Sequence, residues 1–379
     1  MQIDIINGPA ENLIFINIFL LALILSVKKF NTTHSFTPQT TEELKGLAIL
    51  AVLFSHIGYF LISDHRFLFP LSTIAGVGVN LFLFLSGMGL TFSSIKQSVP
   101  IFTFYLKRLP RLFLPMWIVL SIYLLIDWIV LQRTYPVTTS IENFLGFFPR
   151  ADLFLDINSP LWYFTMILFY YLIYPLVFHR KIAYLSPLLL LLIPSLLFKQ
   201  DLPITKDVLN LYKVHLVSFP LGVLFALIIQ EKNLGLIRFH FKNIFLRSNL
   251  VFILIPLFLG IFSYTSIHSG VGLEKEIEQT ISLITMFSII FLFIAKNIEF
   301  KLFHIFGKYS YEIYLLHWPL LSRYDLIYKY LPASIATIIY LVEFILLAYL
   351  LQKSVGMIIK KYYKFDREKG SSVPAVSKE

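Results

Sequence analysis

The sequence predicts an all-α polytopic integral membrane protein with about eleven transmembrane helices, and three observations predict it. Of the 379 residues, 57% are hydrophobic and only 14% charged, far below the roughly 25% charged of a soluble domain. Apolar runs of roughly 15 to 20 residues recur along nearly the whole chain, each close to the length that crosses about 30 Å of hydrocarbon. When the runs are threaded alternately across a bilayer, 23 of the 32 Lys and Arg fall on one side. That asymmetry makes the basic side cytoplasmic. It also accounts for the net charge of +10 without a nucleic-acid partner.

The first span, about 12–27, follows Asp4 and Glu11 and precedes Lys28 and Lys29. A cleavable signal needs the opposite order of charge, so a retained helix with its N-terminus outside is expected. The second, 46–63, follows "PQTTEELKG", in which Thr40 and Glu43 have capping-box spacing. The third, 72–93, carries Ser86 and Gly87, with Gly76, Gly78 and Gly89 nearby. Small residues there predict close helix packing before chemistry. The fourth, 112–131, is preceded by Lys107, Arg108 and Arg111. Pro110 and Pro115 are expected to start or distort that helix and open backbone able to line a pocket.

Spans five to nine (161–179, 183–198, 211–230, 249–267 and 279–296) are aliphatic and aromatic. The tenth, 309–321, is short and carries Ser310, Tyr314 and His317 at i, i+4 and i+7, a polar stripe on an otherwise apolar helix. The eleventh is 333–352. Residues 356–379 read as a basic, disordered cytoplasmic tail able to touch anionic lipid. Cysteine is absent, which excludes thiol catalysis, disulfides and zinc–thiolate sites.

Within "ELKGLAILAVLFSH", Lys45 and His56 are eleven residues apart. At 100° per residue they share one helical face to within about 20°, separated by a rise of roughly 16 Å. The ammonium then lies at the basic interface and the imidazole deep in the bilayer, where an ionisable group is costly and faces a cavity or a partner. His317 is a second intramembrane imidazole. Arg108 and Arg111 share a face if the fourth helix already includes them, and guanidinium forks match phosphate geometry. The plain alternative for the cluster is a positive-inside flank. Asp127 and Glu343, acids inside the fourth and eleventh spans, receive no role. His34, His65, His179, His215, His240, His268 and His304 fall at span ends or in loops and are expected to be solvated or capping.

Five segments in order, "LKGLAILAVLFSH", "GVNLFLFLSG", "KRLPRLFLP", "SPLWYFTMILFYYLIYPL" and "GKYSYEIYLLHWP", resemble membrane-bound acyltransferase family 3, the O-acyltransferases of cell-surface polysaccharides. The resemblance implies a ten-helix acyltransferase body at residues 40–355, an additional N-terminal helix within 1–30 and the tail at 356–379. Lys45 stands where the family more often has Arg, and the interval from Arg111 to Pro115 is one residue longer than the family's. Some relatives append a soluble esterase-like domain; without one, this chain is expected to act alone or with a separate partner.

The resemblance further implies transfer of an acyl group, acetyl above others, from acyl-CoA to a sugar hydroxyl of a lipid-linked or surface glycan at a bacterial plasma membrane. No metal is implied. Lys45, Arg108 and Arg111 would receive the CoA phosphates, each charge-assisted contact being worth roughly 1.5–3 kcal/mol. His56 is the expected general base or, secondarily, an acyl carrier, since a neutral imidazole with a solution pKa near about 6.5 suits proton abstraction. His317, with Tyr314 and Ser310, would orient the acceptor or support the oxyanion. Trp162 and Tyr163 would stack on sugar, against the commoner role of such residues in interfacial belts. Ser86 is a supporting candidate. The rival class is a transporter or flippase of lipid-linked glycan, whose sign would be inverted repeats; no such symmetry is visible in the sequence.

Overall fold

The computed structural model describes residues 3–5, 7–29, 36–153, 155–200, 206–230, 250–269 and 275–368. In chain order the main elements are α1 (Gly8–Leu25), β1 (Val27–Lys29), α2 (Pro38–Gly58), α3 (Ala75–Lys96), α4 (Ile101–Leu131), α5 (Val137–Phe144), α6 (Trp162–Val177) and α7 (Ser186–Leu197). They continue with α8 (Leu209–His215), α9 (Ser218–Gln230), α10 (Leu250–Ile267), α11 (Lys275–Ala295), β2 (Ile298–Phe300), α12 (Lys301–Lys308), α13 (Ser310–Ser322) and α14 (Ala333–Glu368). Each predicted span overlaps helix among the described residues, although 46–63 runs past the end of α2 at Gly58 and 211–230 is divided between α8 and α9. Among the described residues, eight helical segments are long and apolar enough to cross a membrane. α2, α10 and α13 are not among the eight. α2 opens with the polar run PQTTEELK, α13 has only 13 residues, and the apolar part of α10 spans Phe252–Ile267.

α2 is the hub. Residues 48–55 are all buried, and α3, α12 and α13 pack around it. Two reciprocal glycine contacts bring helices to backbone distance. A Cβ on Gly46 would overlap the Phe303 carbonyl, and one on Gly307 would overlap that of Glu42, which locks α2 to α12. Gly87 and Gly222 do the same between α3 and α9, against the carbonyls of Phe219 and Phe84. The packing role expected for the third-span glycines therefore holds at Gly78, which faces Ala48 O, and at Gly87; Gly89 faces open space.

Three expectations are corrected. The N-cap of α2 is Thr37, whose hydroxyl accepts from Thr40 N at 3.1 Å, and Pro38 occupies the first helical position. Glu43 is therefore free of the cap and buried; its Oε1 takes Lys296 Nζ and, at 2.6 Å, Phe300 N. This fastens β2, and with it the small antiparallel β1–β2 ribbon, to α2. Secondly, α4 runs unbroken from Ile101 with Pro110 and Pro115 inside it, so the prolines neither start the helix nor end it. Thirdly, α14 continues to Glu368, so residues 356–368 are helical where the sequence suggested disorder. Residues 369–379 lie outside those described.

Candidate active site

The last turn of α2 and the middle of α13 meet through their imidazoles. His56 Nδ1 and His317 Nε2 are 2.7 Å apart, with ring centroids 5.0 Å apart and nearly parallel. α13 is held in place by its own carbonyls. Pro319 has no N–H for Leu315 O, and Asn158 Nδ2 supplies the donor at 2.8 Å. Tyr123 OH donates to Leu316 O at 2.7 Å, and Tyr314 OH donates to Pro160 O at 2.8 Å. The loop and 3-10 turn that end in "NSPLW" are thus stapled along α13, and His317 cannot shift relative to that turn and α4 without breaking these bonds.

Hydrogen bonding fixes the tautomers. His317 Nδ1 faces the carbonyls of Ile313 at 3.0 Å and Tyr314 at 2.9 Å. Carbonyls only accept, so Nδ1 carries the proton, and in the neutral ring Nε2 is then an acceptor. His56 must therefore donate from Nδ1. Its Nε2 is left with a lone pair and, among the described residues, has no hydrogen-bond partner. His56 is half-buried whereas His317 is fully buried. In this arrangement one ring keeps an open lone pair, a second ring orients it, and a pair of carbonyls orients the second ring.

His317 sits behind His56, in contact with Phe344, and offers no surface to a bound molecule. In place of the expected contact with the acceptor, the structure gives it a bond to His56. Tyr314, also buried, spends its hydroxyl on Pro160 O and presents its ring to His317, with centroids 6.4 Å apart. Ser310 is buried at the first position of α13. Two neighbours escaped the sequence. Trp318 stands edge-on to His56 at 5.0 Å, and its buried Nε1 has no partner among the described residues; neither has Ser55 Oγ, next to His56 in the chain.

Lys45 is on α2, and Arg108 and Arg111 are on α4. Lys45 Nζ pairs with Glu42 at 3.0 Å, and Glu312 is nearby. The face of α2 between Lys45 and His56 is filled by Ile49 and Val52, both buried, the latter against Gly78 of α3. No direct route follows that face. Arg108 is half-buried beside the phenols of Tyr171 and Tyr174, whereas Arg111 is exposed; α4 includes both, so they are neighbours at i and i+3 on that helix. From Arg108 a polar row leads inward. The Ser86 hydroxyl meets the phenols of Tyr171 and Tyr163, and Tyr163 packs edge-on against Tyr314 at 5.6 Å. Ser86, Tyr163, Tyr171 and Tyr311 are enclosed by the bundle yet keep part of their surface accessible. Side chains that line an internal space behave in this way.

Two polar clusters lie outside this row. Asp127, fully buried in α4, accepts from Tyr135 OH at 2.5 Å, Arg323 Nε at 3.2 Å and Tyr324 OH. Arg323 also donates to Asp156 O and Ile157 O at 3.2 and 2.7 Å. Burial, reinforced by the bond to Asp127, pushes the Tyr324 phenol up to about 12, so it stays a donor. Glu343 is half-buried on α14. His215, expected to be solvated or capping, is instead buried and bonded to Asn80 Oδ1 at 2.7 Å. His179 does cap, accepting from Lys181 N; His34 and His240 lie outside the described residues. Trp162 stacks on His215 at 5.7 Å. Among the described residues, no group of three or more His, Asp or Glu could hold a metal ion.

A family model described as an acyltransferase domain matches residues 43–353, and the chain belongs to acyltransferase family 3. The matched range begins at Glu43 and includes most of α2 and all of α13. No curated protein and no solved structure matches the chain.

Proposed function

We propose that this acyltransferase moves an acyl group, acetyl in the first instance, from acyl-CoA to a sugar hydroxyl of a lipid-linked or surface polysaccharide in a bacterial plasma membrane. The basic side faces the cytoplasm, with the N-terminus outside and the C-terminus inside. The observation that carries the chemistry is the free Nε2 lone pair of His56, held by His317. Nε2 takes the proton of the acceptor hydroxyl as its oxygen attacks the thioester carbonyl. The C–S bond then breaks, and the imidazolium returns the proton to the departing thiolate. As His56 becomes charged, its Nδ1–H still donates to His317. Nδ1 of His317 still points at two carbonyl dipoles, so the positive charge is spread along fixed partners with no reorganisation.

The donor's phosphates suit Arg108 best, since Arg108 is half-buried at the start of the tyrosine row whereas Lys45 is engaged by Glu42. A guanidinium fork there would hold a phosphate bidentately. The row from Tyr171 through Ser86 to Tyr163 offers hydroxyls along which the polar pantetheine amides can lie. The test is to express the chain in cells lacking it, supply labelled acetyl donor and analyse the surface glycan for acetyl esters, with His56→Ala in parallel. Label that appears with the native chain and not with the variant is the expected result. Normal acetylation by the variant removes His56 as base, and loss of surface glycan without change in its acetylation points to translocation instead.

A further inference from the structure

A second imidazole, outside the machinery described above, is prepared in the same way as His56. Asn80 of α3 organises it. Its Nδ2 donates to Ser282 Oγ at 2.8 Å, and its Oδ1 accepts from Ser218 Oγ at 2.7 Å. His215 Nδ1, 2.7 Å from the same Oδ1, must be the protonated nitrogen, because that oxygen has only lone pairs to offer. Nε2 of His215 is then an acceptor. Among the described residues it has no partner, although His215 is only 2% exposed. The ring stacks on Trp162 with centroids 5.7 Å apart and planes 20° apart, and Trp162 Nε1–H also lacks a partner among the described residues. Four helices thus converge to hold an unpartnered lone pair beside an uncommitted indole N–H and an aromatic face.

We infer that His215 and Trp162 form a binding subsite for a hydroxyl of the acceptor saccharide, with Asn80 as the residue that positions His215; this rests on the acyl-transfer reading above. A hydroxyl is the group that satisfies both rings at once, donating to His215 Nε2 and accepting from Trp162 Nε1–H, while the C–H face of a sugar ring suits an indole. Placement favours the acceptor over the thioester donor. Trp162 opens α6, nine residues before Tyr171 and so about 13 Å along the helix from the phenol beside Arg108. It also lies next to Tyr163, whose ring leads through Tyr314 to His317. The subsite therefore sits away from the phosphate-binding end and in register with the imidazole pair.

The test uses the full chain in lipid nanodiscs, acetyl-CoA as donor and a panel of methyl hexosides as probe acceptors. His215→Asn keeps a donor for Asn80 Oδ1 and deletes Nε2; His215→Gln places an amide oxygen near the position of Nε2. The expected result is a rise of about tenfold in KM for the hexoside in His215→Asn, the loss of one neutral hydrogen bond. KM for acetyl-CoA and kcat should stay within threefold, with partial recovery in His215→Gln. An unchanged hexoside KM, or a rise confined to acetyl-CoA, overturns the inference. If the native chain acylates no hexoside, the transfer reading fails separately. Binding then decides the subsite: hexoside-induced quenching of tryptophan fluorescence that disappears in both Trp162→Phe and His215→Asn upholds it, and no quenching in the native chain ends it.

Discussion

Two polar clusters lie six residues apart on the α13 segment, one around His317 and the other around Arg323, and they are built to opposite specifications. Around Asp127 and Arg323 every side-chain nitrogen and carboxylate oxygen has a partner. The carboxylate takes Tyr135, Tyr324 and Arg323, and the guanidinium goes on to two loop carbonyls. At the His56–His317 pair the bonding runs in one direction, from carbonyls through His317 to His56, and stops at an unused lone pair. A saturated buried cluster holds structure. A cluster that is satisfied except at one partly accessible atom is prepared to act on something else.

The comparison breaks first at His56. His56→Ala removes the unused lone pair and is expected to lower kcat by about 10² to 10⁴, the range for a positioned general base, with the unfolding temperature in detergent nearly unchanged. An equal loss of thermal stability would place His56 in the structural class and erase the contrast.

Asp127→Ala is expected to do the reverse. It leaves Arg323 charged and unpaired in a buried site, which typically costs about 3–5 kcal/mol. The protein should melt earlier in detergent, while the fraction that remains folded keeps its kcat. A variant that is as stable as the native chain but inactive would transfer Asp127 to the chemistry.

His317 sharpens the contrast because it belongs to the site without touching a bound molecule. His317→Phe keeps His56 and removes the group that sets its tautomer. A fall in kcat of roughly 10- to 100-fold is expected, by analogy with lost orienting partners elsewhere, and smaller than that for His56→Ala. KM for both substrates should hold, and His317→Gln, whose amide oxygen can accept from His56 Nδ1, should recover part of the rate. If His317→Phe matched His56→Ala in kcat, the two rings would act as one unit and the tautomer account would need replacing.

Much of the helical layout was legible because bilayer thickness and backbone hydrogen bonding restrict a spanning chain to long apolar helices. His56 and His317 stood out for a related reason, since an imidazole inside such a run needs an explanation. Their contact was not legible. It joins residues 261 positions apart and depends on α2 and α13, the two described helices around the pair that are least recognisable as spans, one polar at its start and one short. Asp127 could be seen but not assigned, because its partners Tyr135, Arg323 and Tyr324 come from loops and helix ends that carry no periodic signal. His215 was misjudged by position: it ends the short helix α8, and only the fold of α3, α9 and α11 around it makes that end an interior. Thr40 and Glu43 matched a capping box by spacing, yet Thr37 preceding Pro38 was the better cap, and Glu43 was needed by Lys296 and Phe300 N.

The smallest expected effect concerns a carboxylate at the edge of the molecule that resembles neither cluster. In the loop after α2, Asp64 accepts from Arg66 Nη2 at 2.6 Å, Arg66 Nε at 2.8 Å and Arg66 N at 3.0 Å, and also from Gly8 N at the start of α1. The side chain of Arg66, its backbone N–H and the N-terminal end of a helix all favour the charged form. Together they lower the Asp64 carboxyl to about 2. Because the folded value lies below that of the unfolded chain, the carboxylate favours the folded state at neutral pH. That contribution begins to fade as pH falls past the unfolded value near about 4 and is gone below about 2. Arg66→Ala removes the leading cause, so the carboxyl should titrate closer to 4 and the fading should be confined to a narrower interval. Carboxyl chemical shifts of Asp64 followed from pH 6 to pH 2 in both proteins would show this; superimposable titrations would mean that the Arg66 fork does not hold in solution.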